Sequence, residues 1–340
     1  NLLEAIHMFS LGRSFRTRKP EEMISFGEEY FFVRLSGASD TGIGFTIELG
    51  LERGGRIRAG VNGNRLPGLS GIIGMIPSVI FTPDDVGISS GPPASRRLYI
   101  DYTAAQISPA FLADLKEFKK ALMQRNALLR KVQMGTSGME ELDAWNDVFV
   151  EKGAAVALGR AKMLEPVRER AAEYFSALTT GREDFEMEYD CSFAVEGPDA
   201  ETGPAGGETL RGALEEALAR TAERELRRGY TLAGPQFDDI TLRLGGKDLR
   251  RYGSQGRRRL AAIVMKLAQA AVIMEGRAER PVVLLDDIFS ELDSVTAEMV
   301  RSHLTDRYQS FITSPVGIPA PAEGAGSALI EVSGGVFSAG

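Results

Sequence analysis

Two adjacent carboxylates, Asp286 and Asp287, end an apolar run in "VVLLDDIFSELD", Val282 to Asp293. A short, uninterrupted apolar run predicts a strand buried on both faces, as in a parallel sheet, and such sheets take ligands at the carboxyl ends of their strands. Two acids side by side at that edge repel one another unless positive charge lies close. Magnesium carrying a nucleoside triphosphate supplies it. The competing reading is a surface strand end with two solvated aspartates.

A second stretch favours the first reading. "YGSQGRRRLAAIVMKLAQAAVI" sets Ser254, Gln255 and Gly256 just ahead of a long apolar helix. The free N–H groups and the positive dipole end of that helix favour an anion. A glycine-containing helix start is common in itself. Here it precedes the paired-acid strand by about 30 residues, and "SELD" follows that strand directly, which makes the combination specific.

The elements that must position these residues can be read along the chain. In "NLLEAIHMFSLG", Leu2, Leu3, Ile6, Phe9 and Leu11 follow helical spacing with no start signal before them, which predicts a chain lacking its natural amino terminus. "YFFVRL", "IGFTIELGL" and "RIRAGV" read as strands, with Gly54-Gly55 as a hairpin turn. From Ser108-Pro109 the pattern becomes helical. Leu115, Phe118, Leu122, Leu129 and Val132 form a stripe with Arg125 as its polar exception, "MGTSGM" breaks it, and Leu142, Trp145, Phe149, Val156 and Met163 resume it. The expectation is an antiparallel helical hairpin whose stripes are a packing seam. An acidic Gly/Pro-rich stretch, Glu196 to Glu208, reads as a loop, a charged helix runs to Arg228, and "ITLRLGGKDL" reads as a second hairpin at Gly245-Gly246.

Composition narrows the function classes. With 340 residues and 43% hydrophobic content the chain can fill a large core. No apolar stretch approaches the roughly 20 residues of a membrane helix. One cysteine, Cys191, and two distant histidines, His7 and His303, provide neither an internal disulfide nor metal-ligand spacing, so a soluble, cytoplasmic protein is expected. Net charge of −7 argues against a uniformly basic nucleic-acid coat, and partners have to be judged from patches.

With these residues in view, the sequence resembles the ABC-type ATPase heads, and within them the RecF family of bacterial recombination mediators. "SQGRRR" is similar to the family's signature motif, "LLDDIFSELD" to its Walker B motif and D-loop, and "NLLEAIHMFSLGRSFRT" to the helix after its Walker A loop. "FTPDD" (Phe81 to Asp85), Arg96-Arg97, "QRNALL" (Gln124 to Leu129) and "GPQFDD" (Gly234 to Asp239) match in the expected order over nearly the whole chain.

The resemblance implies an α/β fold: an ABC-type P-loop ATPase head, a mixed sheet flanked by helices, with an inserted α-helical arm lobe. Residues 1–100 and 230–340 would form the head and 101–229 the lobe. It further implies that Asp286 holds Mg2+ and that Asp287 orients or deprotonates the attacking water, where many such ATPases carry glutamate. Ser254, Gln255 and Gly256 would cap the γ-phosphate of a partner protomer's ATP, and Asp293 would couple the two sites. ATP would then hold a homodimer together, hydrolysis would be slow and would release it, and the protein would act on DNA with RecR to assist loading of RecA.

Three departures qualify these expectations. Arg257 stands where the family often has glutamine, free either to strengthen γ-phosphate binding or to point to solvent. Gln236 and Phe237 replace a more usual histidine and arginine. No G-x-x-x-x-G-K-[ST] occurs in these residues, so the expectation is a truncated chain that by itself does not hydrolyse ATP.

Three basic clusters are the candidate DNA contacts: Arg243, Lys247, Arg250, Arg251, Arg257, Arg258 and Arg259; Arg13, Arg16, Arg18 and Lys19; and Lys116, Lys119, Lys120, Arg125, Arg130 and Lys131 on the helical arm. Aromatic and basic residues do not interleave along the sequence, which favours backbone contact to duplex or to a single/double-strand junction. Two other readings stand beside the ATP-dependent clamp. One is a non-enzymatic DNA-binding or scaffolding protein that has lost its nucleotide site. The other is an SMC-like head, for which an arm of roughly 60 to 70 residues is short.

Overall fold

The computed structural model describes residues 2–17, 19–39, 41–136, 139–179, 181, 183–193, 207–289, 292–305, 307–314, 328–333 and 336–339. Arg18, Ser290, Glu291 and most of the expected loop from Glu196 lie outside these residues.

Helical spacing at the start of the chain becomes α1 (Leu2–Leu11), which buries Leu3, Ile6, Met8, Phe9 and Leu11. The alternating runs after it become β1 (Tyr30–Ala38), β2 (Gly44–Glu52), β3 (Arg58–Val61) and β4 (Asn64–Arg65), paired antiparallel in that order. The expected turn between β2 and β3 closes with Gly55 N donating to Glu52 O at 2.8 Å. Ile47, Leu49 and Ala59 face inward onto Met8, Phe9, Ile72 and Ile76, and the opposite face of the sheet looks to solvent.

A fully buried strand, β5 (Ser78–Phe81), leads into α2 (Val86–Ser90), α3 (Pro93–Ile107), α4 (Pro109–Gln133) and α5 (Met139–Thr179). Ser108 caps α4 as expected, its hydroxyl accepting from Phe111 N at 3.1 Å. α3 was not expected. It buries Arg96, Asp101, Thr103 and Gln106 together with Tyr99 and Ile100, so polar residues occupy its core face and erase the hydrophobic period. α4 and α5 run antiparallel: Phe111 packs at Gly159, Phe118 against Phe149, and Arg125 Nε donates to Asn146 Oδ1. α6 (Gly207–Arg228) joins this lobe through Leu214, Ala217 and Leu218.

β6 (Phe185–Asp190), β7 (Asp239–Leu244) and β8 (Lys247–Asp248) form a three-stranded antiparallel sheet. The hairpin glycines Gly245 and Gly246 have φ of +54° and +73°. α7 (Leu249–Tyr252), α8 (Gln255–Arg277), β9 (Val282–Asp286), α9 (Ser294–Thr305) and β10 (Ser310–Thr313) follow, then the hairpin β11 (Ile330–Ser333) and β12 (Val336–Ala339).

The strand that ends in two aspartates is the middle one of three. Its sheet has the order β10-β9-β5 with both neighbours parallel to β9. On one face Ile263, Leu267, Ala270 and Ile273 of α8 pack against Val79, Phe81, Val283 and Leu285. On the other, Leu3 and Ile6 of α1 cover Ile80 and Leu284. Apolar cover on both sides explains the uninterrupted run, each fully buried Val or Leu side chain contributing about 1.5–3 kcal/mol. Among the described residues no helix is long and apolar enough to cross a membrane.

Candidate functional site

Parallel register brings three chain segments to one edge. Phe81 lies beside Leu285, and Thr313 beside Asp286. The Thr313 hydroxyl therefore reaches both acids: it donates to Asp286 Oδ1 at 3.0 Å and accepts from Asp287 N at 3.2 Å. Asp287 adopts φ of +52°, which turns the chain sharply off the strand. Asn and Asp tolerate this left-handed region better than other non-glycine residues.

The positive charge demanded by paired acids is present. Arg16, in the loop after α1, places Nη2 at 3.2 and 2.9 Å from the two carboxylate oxygens of Asp286. The Ser14 hydroxyl accepts from Arg16 N and Thr17 N and donates to Glu4, holding the loop in place. Nothing in the sequence around Arg16, within the stretch "NLLEAIHMFSLGRSFRT" and a basic cluster, singles it out as the partner of Asp286. Its partner lies 270 residues away, and Thr313 carries no signal beyond being polar at the end of an apolar run.

The "FTPDD" segment folds at the same edge. Thr82 and Asp85 form a reciprocal capping box, with Thr82 N donating to Asp85 Oδ2 at 2.6 Å. Asp85 also accepts an ion pair from Lys266 of α8 at 3.1 Å. Behind it, Phe81, Asp85, Arg259, Lys266, Ile288 and Leu292 line a cleft of about 30 Å³. His7 of α1 is buried, and burial, then the charges of Lys266 and Arg13, hold its imidazole down to about 3.

The signature residues occupy a separate place. Ser254 caps α8, its hydroxyl accepting from Arg257 N at 3.3 Å, while Gln255 and Gly256 are exposed in the first turn. Among the described residues no hydrogen bond joins Ser254–Gly256 to Asp286 or Asp287. The Arg257 guanidinium pairs with Glu183. Asp293 caps α9, its carboxylate accepting from Thr296 N at 3.0 Å and from the Thr296 hydroxyl at 2.7 Å.

Two further motifs meet each other. Arg96 makes a bidentate pair with Asp239 at 2.7 and 2.9 Å, and Arg97 donates to Asp238 O at 2.6 Å. Asp238 also accepts from Tyr189 and Ser192, and Arg160 bridges Asp101 and Pro235 O. These residues lock α3, α5 and β7 together. Gln236 Nε2 donates to Ala233 O, and Phe237 is exposed.

The basic clusters divide. Arg243 pairs with Glu188, Lys19 with Glu22 and Lys120 with Glu117, and Arg258 donates to the carbonyl of Arg250. Arg125 is not a surface cation: it is buried and donates to Glu225 at 2.5 Å and Thr231 at 2.8 Å, which is why it sits within an apolar stripe. Lys247, Arg250, Arg251, Lys119, Arg130 and Lys131 are exposed.

As a donor set, Asp286 and the adjoining Thr313 hydroxyl supply hard oxygens of the kind Mg2+ prefers. The Arg16 guanidinium shows that this carboxylate accepts a cation. Among the described residues no group of three or more His, Cys, Asp or Glu could hold a metal by itself. Such a set suits an ion that shares its shell with water and phosphate.

The chain is 36% identical over 315 residues to the DNA replication and repair protein RecF of Symbiobacterium thermophilum, covering 92% of this chain and 81% of the relative. It is 34% identical over 318 residues to the protein of the same name from Lacticaseibacillus paracasei, covering 92% and 83%. Among solved structures it is similar to the recombination mediator protein RecF-ATPrS in the RecFOR pathway, with a TM-score of 0.88, 31% identity and coverage of 99% of this chain and 88% of that one. The corresponding RecF-ATP structure gives 0.85, 32%, 99% and 87%. No family model matches the chain.

Proposed function

Since the chain belongs to the family of the DNA replication and repair protein RecF, we propose that it is an ATP-dependent DNA-binding clamp whose two protomers close over shared nucleotides. The observation that carries this reading is the pair Asp286 and Asp287 at the carboxyl edge of a parallel sheet, with Asp286 already facing a cation. The fold class is that of the ABC-type ATPase heads with a helical arm, and the relatives solved as RecF-ATP and RecF-ATPrS support ATP as the ligand.

In this proposal Asp286 and the Thr313 hydroxyl hold Mg2+, which when bound offsets charge on the phosphates. Asp287 orients or deprotonates the attacking water. Its carboxylate is one methylene shorter than glutamate, which fits slow turnover. The exposed amino end of α8, Ser254, Gln255 and Gly256, caps the partner's γ-phosphate. Asp293 couples the sites from the start of α9, and Arg257 joins the phosphate by leaving Glu183. Residues 1–100 and 230–340 act as the head and 101–229 as the arm lobe, a division supported by the shared core of α4, α5 and α6. DNA, RecR and, indirectly, RecA loading are the proposed partners, and the cytoplasm the proposed setting.

The test is ATP binding and turnover in a form of the protein that carries a G-x-x-x-x-G-K-[ST] segment. Asp286→Asn is expected to lose Mg2+-dependent ATP binding. Asp287→Asn is expected to bind ATP and dimerise while turnover falls at least about tenfold. Unchanged turnover in Asp287→Asn removes that carboxylate from the chemistry.

A further inference from the structure

The solvent face of the β1–β4 sheet carries a pattern invisible along the chain. Register sets Tyr30 beside Glu52, Phe32 beside Gly50 and Arg34 beside Glu48; across β2, Arg58 flanks Gly50 and Gly60 flanks Glu48, with Arg65 beyond Gly60. Tyr30 and Phe32 are 61% and 53% exposed. Since successive outward residues on a strand lie about 7 Å apart, the two rings form a row along β1.

Their surroundings form a groove of about 530 Å³. Phe32 leans across the sheet: a Cβ on Gly50 would come within 3.6 Å of its ring, so the glycine leaves the floor low. The Arg34 guanidinium lies 5.6 Å from the Phe32 ring centroid. Arg58 and Arg65 line the far side. The acids in the groove, Glu48 and Glu52, are paired with Arg34 at 2.7 Å and Arg58 at 3.8 Å. From Arg53 to Arg65 the chain carries Arg53, Arg56, Arg58 and Arg65, all exposed, and no acidic residue. Glu28 and Glu29 lie just before β1.

We propose that this face is a platform for single-stranded nucleic acid, with Phe32 and Tyr30 stacking on bases and Arg58 and Arg65 meeting phosphates. Duplex bases hide their π-faces, whereas a single strand presents them to aromatic side chains while its backbone follows positive charge. Gly50, beside the Phe32 ring, lets a base approach the sheet there. Arginines flanking a row of exposed rings match a phosphate-linked ligand better than an apolar protein surface. The inference rests on the reading of the protein as DNA-binding and adds a single-strand contact to the backbone contacts expected elsewhere.

The test uses the full-length protein with a fluorescein-labelled oligothymidylate and a labelled duplex, read by anisotropy. Tyr30→Ala combined with Phe32→Ala is expected to weaken oligothymidylate binding by about fivefold or more. Duplex affinity should stay within about twofold, because stacked duplex bases do not present their faces to the two rings. Arg58→Glu with Arg65→Glu is expected to lower the salt slope for the oligonucleotide by about 1.4. An oligonucleotide carrying 5-iodouracil should crosslink to β1.

Wild-type protein that binds duplex, together with variants that hold the oligothymidylate as tightly as wild type, overturns the platform and leaves the clamp standing. Wild-type protein that binds neither ligand removes both. If the aromatic variant instead loses self-association while keeping its oligonucleotide affinity, the face is a contact between copies and the platform is wrong.

Discussion

At Asp287 the backbone and the proposed chemistry ask for the same residue type. A φ of +52° is strained for most side chains, by about 1–3 kcal/mol, but is tolerated by Asp and Asn. Asp287→Asn should therefore keep its melting temperature within about 2 °C of wild type while a β-branched Asp287→Val loses several degrees, as differential scanning fluorimetry will show. His7 offers a second test. Folding lowers its value from 6.5 to about 3, so below pH 6.5 the unfolded chain takes up a proton that the folded chain refuses. Stability is then full above pH 6.5 and falls with acid by up to about 1.4 kcal/mol per pH unit until the folded value is reached. In His7→Phe that portion of the acid slope should vanish, measured as urea midpoints at pH 7 and pH 5.

Among the elements, α4 and α5 approach closely because of glycine. A Cβ on Gly159 would lie 2.5 Å from Cδ2 of the buried Phe111. Helix propensity alone favours Gly159→Ala by about 1 kcal/mol, but overpacking costs about 1–3 kcal/mol, so a net loss of stability is expected in urea titration. Within the same lobe Arg125 and Glu225 are an ion pair removed from water, with Thr231 and Asn146 completing the guanidinium's bonds. Arg125→Ala leaves Glu225 buried without its cation and should cost about 3–5 kcal/mol. The double change Arg125→Met with Glu225→Leu should cost markedly less, since it strands no charge. Equal losses in both would mean that the pair matters for packing alone.

For the whole molecule, the proposed clamp has the exposed amino end of α8 and the acidic edge of the central sheet completing one nucleotide site when a second copy brings them together. Ser254→Arg puts bulk and charge at that end while keeping the core of α8, so nucleotide binding by the monomer should persist as ATP-driven dimers disappear. Sedimentation velocity with ATP and Mg2+ in a form carrying the phosphate loop measures this directly. Normal dimers in that variant would remove the partner-cap role. Membership of the family does not depend on this outcome, because it rests on 36% identity over 315 residues, 92% of the chain.

Local pattern was enough to define much of this protein. β9 reads as a buried strand because every side chain in Val283–Leu285 meets α8 or α1, α8 reads as a helix because its apolar run follows a capping serine, and the α4–α5 seam reads from its stripes. α3 and β6 were not legible: one hides its period behind buried polar residues with partners, and the other alternates only across six residues, Phe185–Asp190. Partnership was decided by the tertiary fold. Arg16 on Asp286, Arg125 on Glu225 and the row of Tyr30 and Phe32 flanked by arginines each depend on segments distant in the chain. Periodicity reports which face of an element avoids water, whereas the choice of a charge's partner or a ring's neighbour comes from how those elements are stacked.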